Sequence, residues 1–233
     1  MSHLSKRYQA ARAKVIPAKM YTVSEAVTLV QAMPVQFDAS VELHACLGID
    51  PKKSDQILRG TVQLPHGTGK IKRVIAFVSP AQEVAAKAAG ADIVGTAEVI
   101  AQIKKTEQIN FDVAVATPDM MKGLASVARI LGQKGLMPNP RTDTVGADVT
   151  KMITAIKAGK VNFKNDDTGN VHLAVGKVSF TAEQLVSNIT AAIDALKRAR
   201  PAAAKGTFIK RLVVCTTMGP AIPVASTTAD HGK

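Results

Sequence analysis

Ser40-Val41-Glu42-Leu43-His44-Ala45-Cys46-Leu47-Gly48-Ile49 alternates without a break: Val41, Leu43, Ala45, Leu47 and Ile49 point one way, and Ser40, Glu42, His44 and Cys46 the other. Side chains of a strand alternate between faces, so this stretch reads as a strand with one buried and one polar face. Val74-Ile75-Ala76-Phe77-Val78 is written differently, as an unbroken apolar run. Such a run suits a parallel sheet covered on both faces. Two strand styles within 233 residues predict two layered units, and the order of the styles decides how the chain divides between them.

Upstream of the first strand, Thr22-Val23-Ser24-Glu25 is a capping box, with Val23, Ala26, Val27 and Val30 on one helical face and Pro34 beyond the helix end. Downstream, residues 56–64 predict a second strand. After the turn-rich Pro65-His66-Gly67-Thr68-Gly69, the apolar style takes over and strands alternate with helices. An alanine-rich helix closes at Gly90, a short strand covers 92–94, a helix covers 96–105 and a strand covers 113–116. Thr117-Pro118-Asp119 then predicts a helix with a capping hydroxyl and proline at its first position, running to Leu131 and stopping at Gly132. A helix over 148–159 leads back to the alternating style. Residues 161–164 and 171–175 read as a hairpin around the turn 165–170. Thr181-Ala182-Glu183-Gln184 is a second capping box, opening a helix with Leu185, Ile189, Ile193 and Leu196 on one side that Pro201 closes; a last strand starts at Phe208 and residues 225–233 read as a frayed end.

The expected fold is therefore α/β in two domains. A split α/β sandwich made of residues 1–67 and 160–233 is interrupted by an inserted doubly wound, Rossmann-like parallel-sheet domain at 68–159. Glycines at 67, 69 and 159 mark the crossings.

Thirty Lys and Arg against 18 Asp and Glu give a net charge of +12. The excess is spread, at +3 over residues 1–67, +4 over 68–159 and +5 over 160–233. A spread positive balance favours a polyanionic partner, because each phosphate neutralised releases counterions. The first 19 residues carry Lys6, Arg7, Arg12, Lys14 and Lys19 with no acid, which reads as a basic arm in preference to a transit peptide. Cys46 and Cys215 sit far apart in apolar runs and read as small core residues of a reducing compartment. No run reaches the roughly 20 apolar residues of a membrane span, so a cytoplasmic location without membrane contact is expected.

Catalytic patterns are missing. The layer order of the middle unit suits a nucleotide-binding enzyme, the alternative function class, yet Gly67-Thr68-Gly69-Lys70 lacks phosphate-loop spacing and precedes a strand where a dinucleotide fingerprint follows one. His3, His44, His66, His172 and His231 are scattered without paired spacing, and there is no Cys-x-x-Cys. No metal site and no cofactor are expected. Asp166 and Asp167 resemble a carboxylate pair but lie in an Asn-Asp-Asp-Thr-Gly turn, where acidic residues are turn formers.

The chain's last strand ends in Thr217-Met218-Gly219-Pro220, where a flexible methionine stands between a hydroxyl and a glycine that permits close backbone approach. With Lys205-Gly206-Thr207-Phe208-Ile209-Lys210 before it, this loop resembles the large-subunit ribosomal protein L-one family, the stalk protein beside the tRNA exit site. Phe37-Asp38-Ala39-Ser40-Val41-Glu42-Leu43-His44, Leu47-Gly48-Ile49-Asp50-Pro51 and residues 59–67 are similar to that family's N-terminal half. Leu131-Gly132-Gln133-Lys134-Gly135-Leu136-Met137-Pro138-Asn139-Pro140 matches its most specific signature, and Phe163-Lys164-Asn165-Asp166 with Thr168-Gly169 a further block. The likeness is collinear from Lys6 to Pro220. It departs at Gln133, where proline is common, at Cys215, where a hydroxyl is common, and at Ala221, where a small residue, often glycine, is usual.

The resemblance implies a split two-domain fold with a hinge and a non-enzymatic binder of 23S-type rRNA in the mobile stalk, monomeric within the ribosome. It also implies a part in the passage of deacylated tRNA at the E site and repression of the protein's own messenger through an rRNA-like leader. The implied RNA contacts are Thr217, Met218 and Gly219 of the loop and Phe37, which pattern alone would bury. Ser40, Glu42 and His44 on the polar strand face, Asp166 and His172 in the hairpin, and Lys164 and Lys210 on neighbouring strands complete the set. Lys134 and Arg141 flank a second candidate contact in the middle unit. With aromatic residues only 3% of the chain, recognition by shape and sugar hydroxyls is expected over base stacking.

Overall fold

The computed structural model describes residues 4–33 and 35–225. In chain order its elements are α1 (Lys6–Ala13), α2 (Val23–Gln31), β1 (Ser40–Leu47), β2 (Arg59–Gln63), β3 (Val74–Phe77), α3 (Glu83–Ala88), β4 (Ile93–Val94), α4 (Ala97–Thr106), β5 (Val113–Ala116), α5 (Met121–Leu124) and α6 (Ala128–Gln133). They continue as α7 (Val149–Lys157), β6 (Lys160–Lys164), β7 (Asn170–Lys177), α8 (Ala182–Arg198), β8 (Ile209–Thr216) and β9 (Ile222–Val224). The chain divides into two compact units, Met1–Gly69 with Val161–Lys233, and Lys70–Lys160. Gly67, Gly69 and Gly159, at the two crossings, have φ of 64°, 73° and 101°, a region that L side chains rarely enter.

In the first unit β1 lies antiparallel between β7 and β8 in a sheet of order β7-β1-β8-β9. Val41, Leu43, Ala45 and Leu47 are buried and share one core with Ala26, Val27 and Val30 of α2 and Leu185, Ile189, Ile193 and Leu196 of α8. Both helices start as their sequences dictate. The Thr22 hydroxyl accepts the Glu25 N–H at 3.3 Å while the Glu25 carboxylate accepts the Thr22 N–H at 2.8 Å, and Thr181 and Gln184 repeat this at 3.3 and 3.1 Å. Such caps contribute about 1 kcal/mol each.

The hairpin expected over 161–175 forms its turn, but its strands part. β6 pairs with β2 in a separate two-stranded sheet, β7 pairs with β1, and Asn165 with Val171 bridges the two where they diverge. Asn165 explains the parting. It is buried, its side-chain oxygen accepts the Leu58 N–H at 2.8 Å, and its own N–H donates to Leu58 at 3.1 Å, which ties β6 to the segment entering β2. That segment is extended only from Arg59, since residues 51–56 form turns. The basic arm is helical as α1, and β9 adds an edge to β8; neither was legible as an element.

In the second unit a parallel sheet of order β4-β3-β5 carries helices on both faces. All four residues of β3 are buried, and successive ones serve opposite cores. Ile75 and Phe77 pack with Ile100 and Ile103 of α4 and with Leu124, Val127 and Leu131, whereas Val74 and Ala76 pack with Ala86 of α3 and Val149, Ile153 and Ile156 of α7. That is why the run carries no polar residue. The helix expected from Thr117 to Leu131 is broken into 3-10 turns at Pro118–Met120 and Ala125–Val127 with α5 and α6 between and after them. Thr117 supplies no capping bond, Gly123 weakens the middle, and the Ser126 hydroxyl donates to the Gly123 carbonyl at 3.0 Å, diverting the α-helical ladder. Among the described residues no helix is long and apolar enough to cross a membrane.

Asn188 of α8 is wholly buried in the first unit and serves three backbone groups. Its amide donates to Val175 at 2.7 Å and Gly67 at 2.9 Å, and its oxygen accepts the His66 N–H at 3.1 Å. Asn188→Ala leaves those groups unpaired and is expected to destabilise the protein by about 2–4 kcal/mol in urea unfolding. A loss under about 0.5 kcal/mol would show that water replaces the amide without penalty.

Candidate nucleic-acid interface

Because α2 and α8 occupy the inner side of the four-stranded sheet, the alternate residues of its strands form an outer face. The register sets Glu42 between Ala174 and Cys215, His44 between His172 and Val213, and Cys46 between Asn170 and Arg211. Residues remote in sequence thereby become neighbours. His44 Nδ1 lies 2.7 Å from His172 Nδ1, His44 Nε2 lies 3.1 Å from Cys215 Sγ and 3.5 Å from Glu42 Oε2, and His172 Nε2 lies 3.5 Å from Asp166 Oδ2. One proton joins the two Nδ1 atoms, and the ends of the chain set its direction. In the tautomer that sets a proton on His172 Nε2 beside Asp166, His172 Nδ1 accepts from His44 and the His44 Nε2 lone pair faces the Cys215 thiol. Burial first, then repulsion from the neighbouring His172 ring, hold His44 below the usual histidine value against the opposing pull of Glu42. Burial and then Glu42 push the Cys215 thiol up to about 11, so the thiol keeps its proton at neutral pH. Neither cysteine is a core residue, as their apolar runs suggested. Both are half-buried on this outer face.

Asp166 is a turn organiser. Its carboxylate accepts the Asn170 N–H at 2.7 Å, the Thr168 N–H at 2.9 Å and the Thr168 hydroxyl at 2.8 Å. These bonds, led by that of Asn170, hold it well below the usual carboxylate range.

At the sheet's end the Thr217 N–H donates to the Ser40 carbonyl at 2.9 Å, and the Ser40 hydroxyl receives the Lys177 ammonium at 3.0 Å. The next residue, Met218, is 69% exposed and has φ of 65°. A non-glycine residue in the left-handed region costs about 1–2 kcal/mol. An exposed, strained methionine is poorly explained by folding alone. Its carbonyl accepts from Arg7 of α1 at 3.1 Å. Gly219 is required by a neighbour in its own chain, since a Cβ there would collide with the Thr216 hydroxyl. Phe37 is 53% exposed, contrary to the pattern reading, because Ala39 takes the core position instead. Phe37, Met218, Arg7, Val35 and Gln36 line an open depression of about 460 Å³.

The sheet thus gathers Ser40, Glu42, His44, His172 and Thr217 on one face, with Phe37, Met218 and Gly219 at its end. Lys164 and Lys210 are exposed but not on neighbouring strands: Lys164 belongs to β6 in the two-stranded sheet. Lys210 shares the parity of buried Leu212, and its stem lies against Gly48 beside the register shift after Cys46. Sequence reading left Arg211, Cys215, Lys177 and Arg7 out of the site: Cys215 was read as a core residue and Arg7 only as part of the basic arm. Arg211 and Cys215 share the strand parity of Thr217, a signal present in the sequence; Lys177 and Arg7 are placed by tertiary contacts. The scattered histidines gave no sign of a cluster, yet the register brings potential ligand atoms of Glu42, His44 and Cys215 within 4.8 Å of one another. His3 and His231 lie outside the described residues, as does most of the expected frayed end. In the second unit Lys134 is exposed at the end of α6, Leu136 and Met137 of the signature loop pack on the core, and the Arg141 side chain is outside the described set.

Met218→Gly relieves the left-handed strain but adds about 0.4–1 kcal/mol of unfolded-state entropy, so stability should stay level or rise by up to about 1 kcal/mol in thermal melts; a clear loss would make Met218 a packing residue. A carboxylate whose folded value is depressed stabilises above its unfolded value and loses that contribution as pH falls through the folded one. Below pH 3.8, the ordinary aspartate value, the native protein should therefore lose stability relative to Asp166→Asn, as a pH series of melts reads. Parallel curves would deny the turn this role.

Residues 29–220 match the ribosomal protein L1p/L10e family. Over 234 residues the chain is 50% identical to large ribosomal subunit protein uL1 of Kosmotoga olearia, covering 100% of this chain and 99% of the relative. The protein of that name from Salinispora tropica is 50% identical over 96% of this chain and 94% of its own, and that of Streptomyces sp. 51% identical over 95% and 93%. With a family match across both units and relatives at half identity over nearly its whole length, this chain belongs to the ribosomal protein L1p/L10e family.

Proposed function

We propose that the protein is a non-enzymatic constituent of the large ribosomal subunit, in the cytoplasm, that holds the rRNA of the mobile stalk beside the tRNA exit site with its first unit. The observation that carries this reading is the pairing of two exposed apolar side chains, Phe37 and strained Met218, at the open end of a polar sheet face. Apolar surface displayed at a strained site suits a partner's ribose or base edge. Thr217, Ser40, Glu42 and His44 supply acceptors and donors for sugar hydroxyls, His172 and Asp166 set their orientation, and Gly219 keeps the loop tight. Arg211, Lys164 and Lys210 supply charge toward phosphates. Lys134 and Arg141 in the second unit are the proposed second RNA contact. On the same reading the protein assists release of deacylated tRNA and represses its own messenger by binding an rRNA-like leader.

The test is binding to a stalk rRNA fragment across a salt series. Phe37→Ala and Met218→Ala should each weaken binding at least about tenfold, about 1.4 kcal/mol, and leave the slope of log affinity against log salt unchanged. Arg211→Ala and Lys164→Ala should each flatten that slope by about 0.7–0.9. Affinity no better than for random duplex RNA would end the proposal.

A further inference from the structure

The outer sheet face holds more than hydrogen-bonding groups. Glu42, His44 and Cys215 each offer one ligand atom, all within 4.8 Å of one another. Their arrangement is set by rigid parts: Glu42 and His44 are two apart on β1 and share its outer face, and Cys215 faces Glu42 across the β1 and β8 register. We propose that this constellation is a divalent transition-metal site, suited to Zn²⁺, with His44 Nε2, Cys215 Sγ and a Glu42 carboxylate oxygen as ligands and water in the fourth position.

Three observations support it. First, the spacing fits. Zinc at about 2.0–2.1 Å from nitrogen and oxygen and about 2.3 Å from sulfur places tetrahedral ligand atoms about 3.3–3.6 Å apart. His44 Nε2 stands 3.1 Å from Cys215 Sγ and 3.5 Å from Glu42 Oε2, so small side-chain adjustments close the site. Second, the outer ring is already built. A metal-bound histidine ordinarily donates its other ring N–H to a partner that fixes its tautomer. His44 Nδ1 meets His172 Nδ1 at 2.7 Å, and His172 Nε2 faces Asp166 at 3.5 Å, which leaves the His44 Nε2 lone pair toward Glu42 and Cys215. Third, Cys215 Sγ and Glu42 Oε2 both flank His44 Nε2, so a cation held there gains a sulfur and a carboxylate oxygen beside the imidazole. One imidazole, one thiolate and one carboxylate form a borderline-soft set that suits zinc over magnesium or calcium. All three residues are half-buried, so the ion keeps an open side to water. On binding, the Cys215 thiol proton passes to solvent and the sulfur bonds the metal as thiolate, with no change of oxidation state.

Glu42 and His44 are the side chains that the proposed function turns to sugar hydroxyls, so the ion and RNA compete for them and the test uses the full chain without RNA. Reduced protein cleared of metal is titrated with Co²⁺ under anaerobic conditions. The expected result is one ion per chain, a thiolate-to-cobalt charge-transfer band, d–d bands of four-coordinate strength, and loss of all of them when Zn²⁺ is added. Cys215→Ser should abolish the charge-transfer band, Cys46→Ser should keep it, and His172→Ala should weaken binding about 10-fold by freeing the His44 tautomer. Should Cys215→Ser fail to fold, slower alkylation of Cys215 in the unmutated protein on adding Zn²⁺ gives the same answer. Absence of the band in unmutated protein, its survival in Cys215→Ser, or alkylation unaffected by Zn²⁺ overturns the proposal.

Discussion

The placement of β1 constrains everything else in the first unit. With β7 on one side and β8 on the other, it has no free edge, and its alternation leaves one acceptable register. A slip by one residue would turn Val41, Leu43, Ala45 and Leu47 to water and drive Glu42 and His44 into the core. Burying an unpaired carboxylate costs several kcal/mol, more than any hairpin or loop contact could offset. The same alternation therefore fixes the core and delivers Glu42, His44 and Cys46 to the outer face.

Local signals in the sequence were legible where one physical rule acted alone. Both capping boxes, the strand at 40–47 and the apolar run at 74–77 needed only neighbouring residues to be read. The parting of β6 from β7 was not legible, because it depends on Asn165 meeting Leu58, 107 residues away in the chain. The broken helix after Thr117 failed for a different reason: its pattern was helical, but Gly123 and Ser126 weakened the ladder from within. At the candidate interface, the individual residues on β1 were visible, while their partners were not. No spacing rule connects His44 with His172 or Cys215; only strand register does.

The loop at 217–219 shows why a resemblance and a physical reading need each other. The glycine first read as a place for close approach by a partner is needed by Thr216 in its own strand. The strained position is the methionine, one residue earlier. A folding-only design would put glycine or asparagine at a left-handed position. Keeping a large, flexible, exposed apolar side chain there favours a role in contact over one in packing.

The chemistry left exposed on the face also decides what kind of recognition it supports. Much of its hydrogen-bonding capacity is already committed: the Ser40 carbonyl to Thr217, the Ser40 hydroxyl to Lys177, and Asp166 to its turn. Cations are sparse, and Glu42 adds a negative charge where phosphate would have to lie. A duplex backbone pressed flat on this sheet would therefore meet repulsion as often as attraction. What suits it is an irregular RNA surface that turns sugar hydroxyls toward Glu42 and His44, seats an apolar edge at Phe37 and Met218, and sends its phosphates outward to the flanking lysines and Arg211. On the proposed function, the net charge of +12 would serve long-range attraction and the sheet face discrimination.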